Sequence, residues 1–386
     1  MKAHPATTTK RGEVLAVLLD NALLTWGSRE DLNLHFSLAL IARGVRPVLV
    51  FSEAPVEELR ARFQARGIAV AAIDYEKGLL RYYRELRKVV KRHSVTTIYI
   101  AFFNYFSFIP WLARLSGVRC IVYDERNPGV LQARSWRKRL LRLRTRIAQL
   151  PVTRVIAISD FLRRQLIEVG VPAKKIVLVY HGVDTDRYSP NPNARQQLMT
   201  EFAVRPDEII LAALSYLRPH KNLDVILEAC AEVVSCGIQL RLFVVGDGPM
   251  RNQLQASGCR LGIADRVHWL GHIPDPVPIL QACDVFLMAS IGEGFGLALA
   301  EAMACGAAAV AARSGALQEI VENNVSGLLV PPGDAHALAD AICRLAKDKQ
   351  LRNDVATRGM TRVRLSFTTQ LSISNTLNVV DSIWSG

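Results

Sequence analysis

Nowhere in the 386 residues does an apolar run last long enough to cross a bilayer. The nearest candidate, residues 98–112, is too short and is interrupted by Asn104 and Pro110. The first ten residues are polar and the apolar run Val14–Leu19 is too brief for a signal peptide, so a cytoplasmic protein is expected. No Cys-x-x-Cys pair occurs among the seven cysteines, at 120, 230, 236, 259, 283, 305 and 343. Their odd number and scatter argue against a disulfide framework and for reduced thiols. Metal-like spacing occurs at His268 and His272, but on a strand-like segment where positions i and i+4 lack helical geometry, so no zinc centre is expected. Charged residues make up only 22% against 50% hydrophobic, which argues against a disordered chain. The first strand-like run leads into Asp20-Asn21-Ala22 and not a Gly-x-Gly-x-x-Gly turn, which weakens a dehydrogenase reading.

What is present is alternation. Apolar, β-rich runs at Val14–Leu19, 48–51, 68–73, Thr97–Ala101, 121–123, 155–157 and 176–179 are interleaved with helical spacing at 31–42, 56–66 and Leu79–His93. Strands alternating with helices predict a parallel sheet covered on both faces, and one doubly wound domain over residues 1–188. Ser189-Pro190-Asn191-Pro192-Asn193 is the strongest linker signal. A second series at 209–211, 242–245, 267–269, 284–288 and 307–311 predicts another such domain over residues 189–365. Two domains with ligand loops at the carboxyl ends of their strands would face each other across a cleft.

The most informative stretch is Gly292-Glu293-Gly294-Phe295-Gly296-Leu297, which follows a buried-strand pattern and opens a helix rich in Ala, Leu, Met and Glu. Three glycines in five residues allow close backbone approach, and the free N–H groups of the helix start favour an anion. Glu293 and Glu301 frame this loop. A carboxylate beside a phosphate cradle would repel the phosphate, so each is better suited to accept hydrogen bonds from sugar hydroxyls. A nucleotide sugar carries both groups. In Ser215-Tyr216-Leu217-Arg218-Pro219-His220-Lys221-Asn222, Arg218 and Lys221 follow a strand and are expected to hold a diphosphate and stabilise it as a leaving group. No cofactor or metal is then expected. Gly246-Asp247-Gly248-Pro249 is another strand-to-helix turn.

Glu293 and Glu301, eight positions apart in a Glu-Gly-Phe-Gly…Glu-Ala-Met-Ala-Cys-Gly pattern, resemble the paired glutamates of the retaining nucleotide-sugar glycosyltransferases of family 4, the group 1 glycosyltransferases. The likeness continues through Ser314-Gly315, Gln318-Glu319-Ile320-Val321 and residues 327–334, while the N-terminal half is similar in plan more than in motif. The resemblance implies an α/β protein of GT-B fold, two Rossmann-like doubly wound domains facing a cleft, with the last helix in 366–386 packing back on the first. It implies transfer of a sugar from a nucleotide diphosphate sugar, a UDP-sugar favoured, to an acceptor hydroxyl with retention. Front-face attack, the leaving phosphate helping to take the proton, is the route this suggests. Polysaccharide, lipid-linked oligosaccharide or glycolipid synthesis is the implied setting.

Residue by residue, the resemblance implies donor contacts at Gly294, Phe295, Gly296 and Leu297 beside the two glutamates, and at Gly246 and Gly248. Ile273, after Gly271-His272, falls where the family's backbone meets the base, and Gly27 matches one glycine of a pair near the phosphates. Three departures stand out. The family's usual Gly-Arg pair falls on Ser215-Tyr216, so Arg218 is expected to take over the arginine's role. Where many members place a histidine after the fifth strand, this chain has Tyr123-Asp124-Glu125-Arg126; Asp124 or Glu125 is expected to orient the acceptor or accept its proton, and a capped polar loop fits the same residues equally. His181-Gly182-Val183-Asp184 replaces the usual Asn-Gly-Val-Asp, with Asp184 expected to cap a turn.

Charge is unevenly placed. Up to Pro190 there are 32 Lys and Arg against 16 Asp and Glu, while the remainder carries 16 against 19. Between residues 134 and 150, Trp136, Leu140, Leu143, Ile147 and Leu150 form one helical stripe, with seven basic residues between 134 and 146. That pattern fits a sheet-covering helix and also peripheral contact with an anionic membrane at its inner face; the charge density favours the membrane. No nucleic-acid partner is expected beside the donor and a glycan or lipid-linked acceptor. Two competing readings are a catalytically degenerate protein whose basic half binds RNA or membrane, and a sugar-nucleotide epimerase on the same fold.

Overall fold

The computed structural model describes residues 13–19, 28–74, 78–101, 107–126 and 135–385, apart from the side chains of 28–30 and 135–139. The chain divides into two compact units, Met1–Val179 with Ile373–Gly386, and Tyr180–Ser372.

The first unit is built on seven parallel strands: β1 (Val14–Leu19), β2 (Arg46–Phe51), β3 (Ala69–Ala72), β4 (Thr97–Ala101), β5 (Cys120–Glu125), β6 (Arg154–Ala157) and β7 (Ile176–Leu178). Their order is β3-β2-β1-β4-β5-β6-β7. β1 and β4, the central pair, are buried along their whole length, as strands covered on both faces must be, which is why they read as unbroken apolar runs. The last helix, Thr369–Trp384, belongs here: Ile373, Leu377 and Val380 join the core formed by Leu15, Val17, Phe36 and Tyr99. Its Trp384 Nε1 donates to Thr97 Oγ1 at 2.8 Å, and Asp381 pairs with Arg43 at 3.7 Å.

The second unit repeats the plan with β8 (Ile209–Leu214), β9 (Leu240–Val245), β10 (Val267–Gly271), β11 (Val285–Met288), β12 (Ala308–Ala312) and β13 (Leu328–Val330), in the order β10-β9-β8-β11-β12-β13. β12 is Ala-Ala-Val-Ala-Ala, a poor strand by propensity, yet every residue is buried between its neighbours, so burial overrides intrinsic preference. In both sheets the order reverses at a central pair, β1 with β4 and β8 with β11. Ligands of such sheets bind beyond the carboxyl ends of the strands at that reversal.

The observed division falls at Val179/Tyr180, nine residues before the expected boundary at 188. Val183 N donates to Phe367 O at 2.8 Å and Thr369 N to Val183 O at 2.9 Å, and the Tyr180 ring packs edge-on against Phe367, so this stretch is knitted into the second unit. The proline and asparagine cluster is therefore a turn inside that unit, with Ser189 O accepting from Gln281 Nε2 at 2.7 Å. Asp184 caps its turn, Oδ1 accepting from the backbone N–H groups of Asp186 and Arg187. His268 is half-buried and stacked on Phe243 with ring centroids 4.8 Å apart.

Asp284, at the head of β11, ties the second sheet to its surroundings. Its Oδ2 accepts from Ile210 N at 2.8 Å and pairs with the Arg195 guanidinium. Asp284→Ala leaves a strand N–H and a cation without their acceptor, and is expected to cost about 2–3 kcal/mol of stability, read from urea unfolding.

Candidate active site

β8 and β11 lie side by side, so the loops leaving their carboxyl ends meet. From β8 the chain runs through Ser215–Leu217 to a 3-10 turn, Pro219–Lys221, and Asn222 in the left-handed region starts the helix Leu223–Ser235. From β11 it runs through the glycine loop to the helix Leu297–Ala304. Three contacts join the loops: Ile291 N donates to His220 O at 2.8 Å, Asn222 Nδ2 donates to Ala289 O at 3.2 Å, and the Lys221 ammonium pairs with the Glu293 carboxylate. Two residues predicted separately for phosphate and sugar are thus one half-buried ion pair. Lys221 already has a carboxylate partner, which the sequence reading did not anticipate.

The glycine loop is held from behind by the turn after β12. Gly292 N donates to Ser314 Oγ at 3.0 Å and Ala316 N donates to Glu293 O at 3.0 Å. Gly315, at φ +57°, lies so close that a Cβ would fall 2.6 Å from Glu293 N and O. Ser314 and Gly315 therefore set the position of Glu293, a role that no local sequence signal carries. Gly296 caps the helix start, and Gly294 lies between it and Glu293. Leu297 is the first helical residue.

Some predicted donor residues have other work in the fold. Gly246, at φ +122°, would put a Cβ 1.9 Å from Ser215 O, and Gly248 one 2.6 Å from Leu217 O. Leu217 N also donates to Asp247 O at 2.9 Å. These glycines are needed so that the Gly246–Gly248 turn can lie against the backbone that leads to Arg218. The Phe295 ring is buried, stacked with His181 at 5.7 Å and edge-on to Phe367 at 5.6 Å, so its side chain is core and only its backbone is left for a ligand. Arg218 is exposed, and its guanidinium lies over the Tyr216 ring, 4.8 Å from the centroid. Ile273 sits half-buried in the loop after β10.

Glu301 is 5% exposed. Burial pushes its carboxyl up to about 7, against the opposing pull of a hydrogen bond from Tyr188 and the nearby Arg187 charge. Arg187 in turn pairs with Asp275 at 3.0 Å. Tyr188 and Arg187 were missed because the sequence reading assigned them to the other domain. Cys305, beside Glu301, is pushed up to about 12 by burial, and Cys283 is raised by the same cause, so both remain thiols.

In the first unit, Asp124 and Glu125 end β5, each 2% exposed. Asp124 Oδ2 accepts from the Tyr99 hydroxyl at 2.7 Å and from Arg126 Nε at 2.8 Å. Burial, then the Asp124 charge, holds the Tyr99 phenol well above its usual range, so the proton stays on the tyrosine. Asp124 Oδ1 is buried without a hydrogen-bond partner among the described residues. Gly27 lies outside the described residues.

Two Rossmann-like units of this order define the GT-B architecture, and the solved structure of HepE from Anabaena, in complex with UDP and glucose, matches it with a TM-score of 0.80 at 22% identity, covering 96% of this chain and 100% of that one. The profile described as Glycosyl transferases group 1 matches residues 194–362, and that described as Glycosyltransferase Family 4 matches residues 32–187. The chain belongs to the group 1 glycosyltransferases of family 4. N-acetyl-alpha-D-glucosaminyl L-malate synthase of Bacillus anthracis is 31% identical over 220 residues, 57% of each chain. The GDP-mannose-dependent alpha-(1-6)-phosphatidylinositol monomannoside mannosyltransferase of Mycolicibacterium smegmatis is 29% identical over 284 residues, 68% of this chain and 70% of that one. For most of the first relatives the match spans little more than half of their length.

Glu301 makes stability depend on pH. An unfolded glutamate titrates near 4.5 and the folded one at about 7, so between these values the folded state holds more protons and loses stability as pH rises. The contribution is fully present below pH 4.5, is gone above 7, and amounts to about 3 kcal/mol. Glu301→Gln has no such dependence. The stability difference between wild type and this variant is expected to shift against the wild type between acidic and mildly alkaline pH, measured by urea unfolding.

Proposed function

We propose that this protein transfers a sugar from a nucleoside diphosphate sugar to a hydroxyl of a glycan or lipid-linked acceptor, with retention, in polysaccharide, lipid-linked oligosaccharide or glycolipid synthesis. The observation that carries this reading is the Lys221–Glu293 pair, set at the sheet reversal beside the start of the helix Leu297–Ala304. As the bond from the anomeric carbon to the diphosphate breaks, negative charge gathers on the leaving oxygen. Lys221, Arg218 and the helix N–H groups stabilise that charge without a metal, and more strongly in the transition state than before it. Glu293 holds Lys221 in place and accepts a hydroxyl of the donor sugar on binding. Glu301 accepts another donor hydroxyl.

The acceptor oxygen attacks from the face the diphosphate leaves, and its proton passes to a phosphate oxygen. We assign the orienting of that hydroxyl to Asp124, which is held by Tyr99 and Arg126 and has Oδ1 to offer as acceptor. A UDP-sugar is the favoured donor, in keeping with the UDP of the Anabaena structure; a relative named for GDP-mannose makes a panel of nucleoside diphosphates the direct check, by thermal shift.

Nucleotide release measured with and without acceptor distinguishes transfer from mere binding; release that never depends on an acceptor contradicts this reading. Lys221→Ala is expected to lower kcat about a hundredfold, the usual effect of removing one group that stabilises developing charge. Glu301→Ala is expected to weaken donor binding by about 1.5–3 kcal/mol. Activity should persist in EDTA, and inactivation reversed by Mn²⁺ or Mg²⁺ would assign the charge stabilisation to a metal instead.

A further inference from the structure

No acidic residue occurs between Glu125 and Asp160, while nine Lys and Arg do. This stretch contains the helix Ser135–Ala148. Its inward face is formed by the half-buried Leu141 and the buried Thr145 and Ala148, with buried Gln149 just beyond, so it is a narrow and partly polar face. The other described large apolar residues face away from it: Leu140 is 61% exposed, Leu143 58%, Ile147 43% and, just past the helix end, Leu150 63%. With about 100° between successive residues, these four fall within one quadrant, opposite the buried face. Arg146 lies on one side of that stripe and Arg144 on the other, while Arg142, further round the helix, donates from Nε to Glu168 O at 2.7 Å. The stripe is therefore not the seam by which the helix covers the sheet.

A second ridge lies beside it. Trp111 Nε1 donates to Ile147 O at 2.8 Å, which sets the helix Ile109–Leu115 against this one. Phe108 and Leu115, spaced three before and four after Trp111, are themselves exposed. Single exposed apolar side chains are ordinary on protein surfaces, but a ruled stripe opposite the core, flanked by arginines and continued on a neighbouring helix, is not.

We propose that this face of the first unit docks on an anionic lipid surface, the helix Ser135–Ala148 lying in the plane of the interface. The apolar stripe enters the boundary between headgroups and acyl chains, and the arginines reach sideways to the lipid phosphates. Charge selects this occupant: the whole stretch offers cations and no carboxylate, and each basic residue at such a surface raises partitioning about fivefold. The inference goes beyond sugar transfer and does not need it, since membrane binding is read without donor or acceptor.

The test is flotation of the full chain with vesicles of phosphatidylcholine alone and of phosphatidylcholine mixed with phosphatidylglycerol in equal parts, at low and high salt. Binding is expected to the anionic vesicles at least tenfold above the neutral ones, and to weaken with salt. Leu143→Ser with Ile147→Ser, and separately Arg146→Glu, should each lower it about tenfold or more. Because these side chains are exposed, both variants should keep the wild-type unfolding midpoint, which separates lost docking from lost folding. Equal binding to the two vesicle types, or unchanged binding in both variants, overturns the proposal. So does self-association that the Leu143/Ile147 variant abolishes in a protein that ignores vesicles, which would make a second copy of this chain the occupant.

Discussion

The pairing of β8 with β11 puts Lys221 against Glu293, two residues 72 positions apart in the chain, and the candidate site depends on that contact. A cation without its carboxylate would sit half-buried at a cost, and a carboxylate without its cation would repel the diphosphate the site is proposed to hold. Together they form a neutral unit that still offers N–H donors on one side and acceptor oxygens on the other. A nucleotide sugar presents the complementary set, with phosphate oxygens for the lysine and hydroxyls for the glutamate.

Close backbone contact keeps this pair in place. The turn at Ser314–Ala316 lies against the glycine loop, and Gly246 and Gly248 let a third loop pack against the residues leading to Arg218. Such contacts are stiff because they leave no room for a side chain to rearrange. A site held this way is positioned before any ligand arrives, the condition under which fixed charges stabilise a transition state without reorganisation cost. Arg218 is the exception: exposed and resting on Tyr216, it is free to adjust to the ligand.

The two units spend their charge differently. In the second, charged side chains are largely neutralised locally, as at Asp284 with Arg195 and Glu208 with Arg241. In the first, residues 126–159 carry nine Lys and Arg and no carboxylate, and the helix within this stretch turns Leu140, Leu143 and Ile147 outward. Asp124 is a local counterexample, a buried carboxylate whose partners Tyr99 and Arg126 come from its own sheet end.

Most strands could be placed from the chain alone, because parallel strands buried on both faces leave unbroken apolar runs, and the glycine loop from Gly292 to Gly296 marked the site for the same local reason. Leu328–Val330 was seen only as part of a motif, being too short to declare a strand. The domain boundary was displaced to the Pro-Asn cluster because turn residues signal a turn wherever it lies, and only the pairing of residue 183 with 367 and 369 shows which unit owns the segment. The same displacement hid Tyr188 and Arg187 from Glu301. The stripe from Leu140 to Leu150 was legible as a stripe, but periodicity does not say which way a helix is turned; that is settled by what packs against its other face. Local pattern thus determined the elements and the chemical types at the site. Tertiary structure alone decided that Lys221 meets Glu293 and that Glu301 is buried, because both depend on residues that come together only when the sheets assemble.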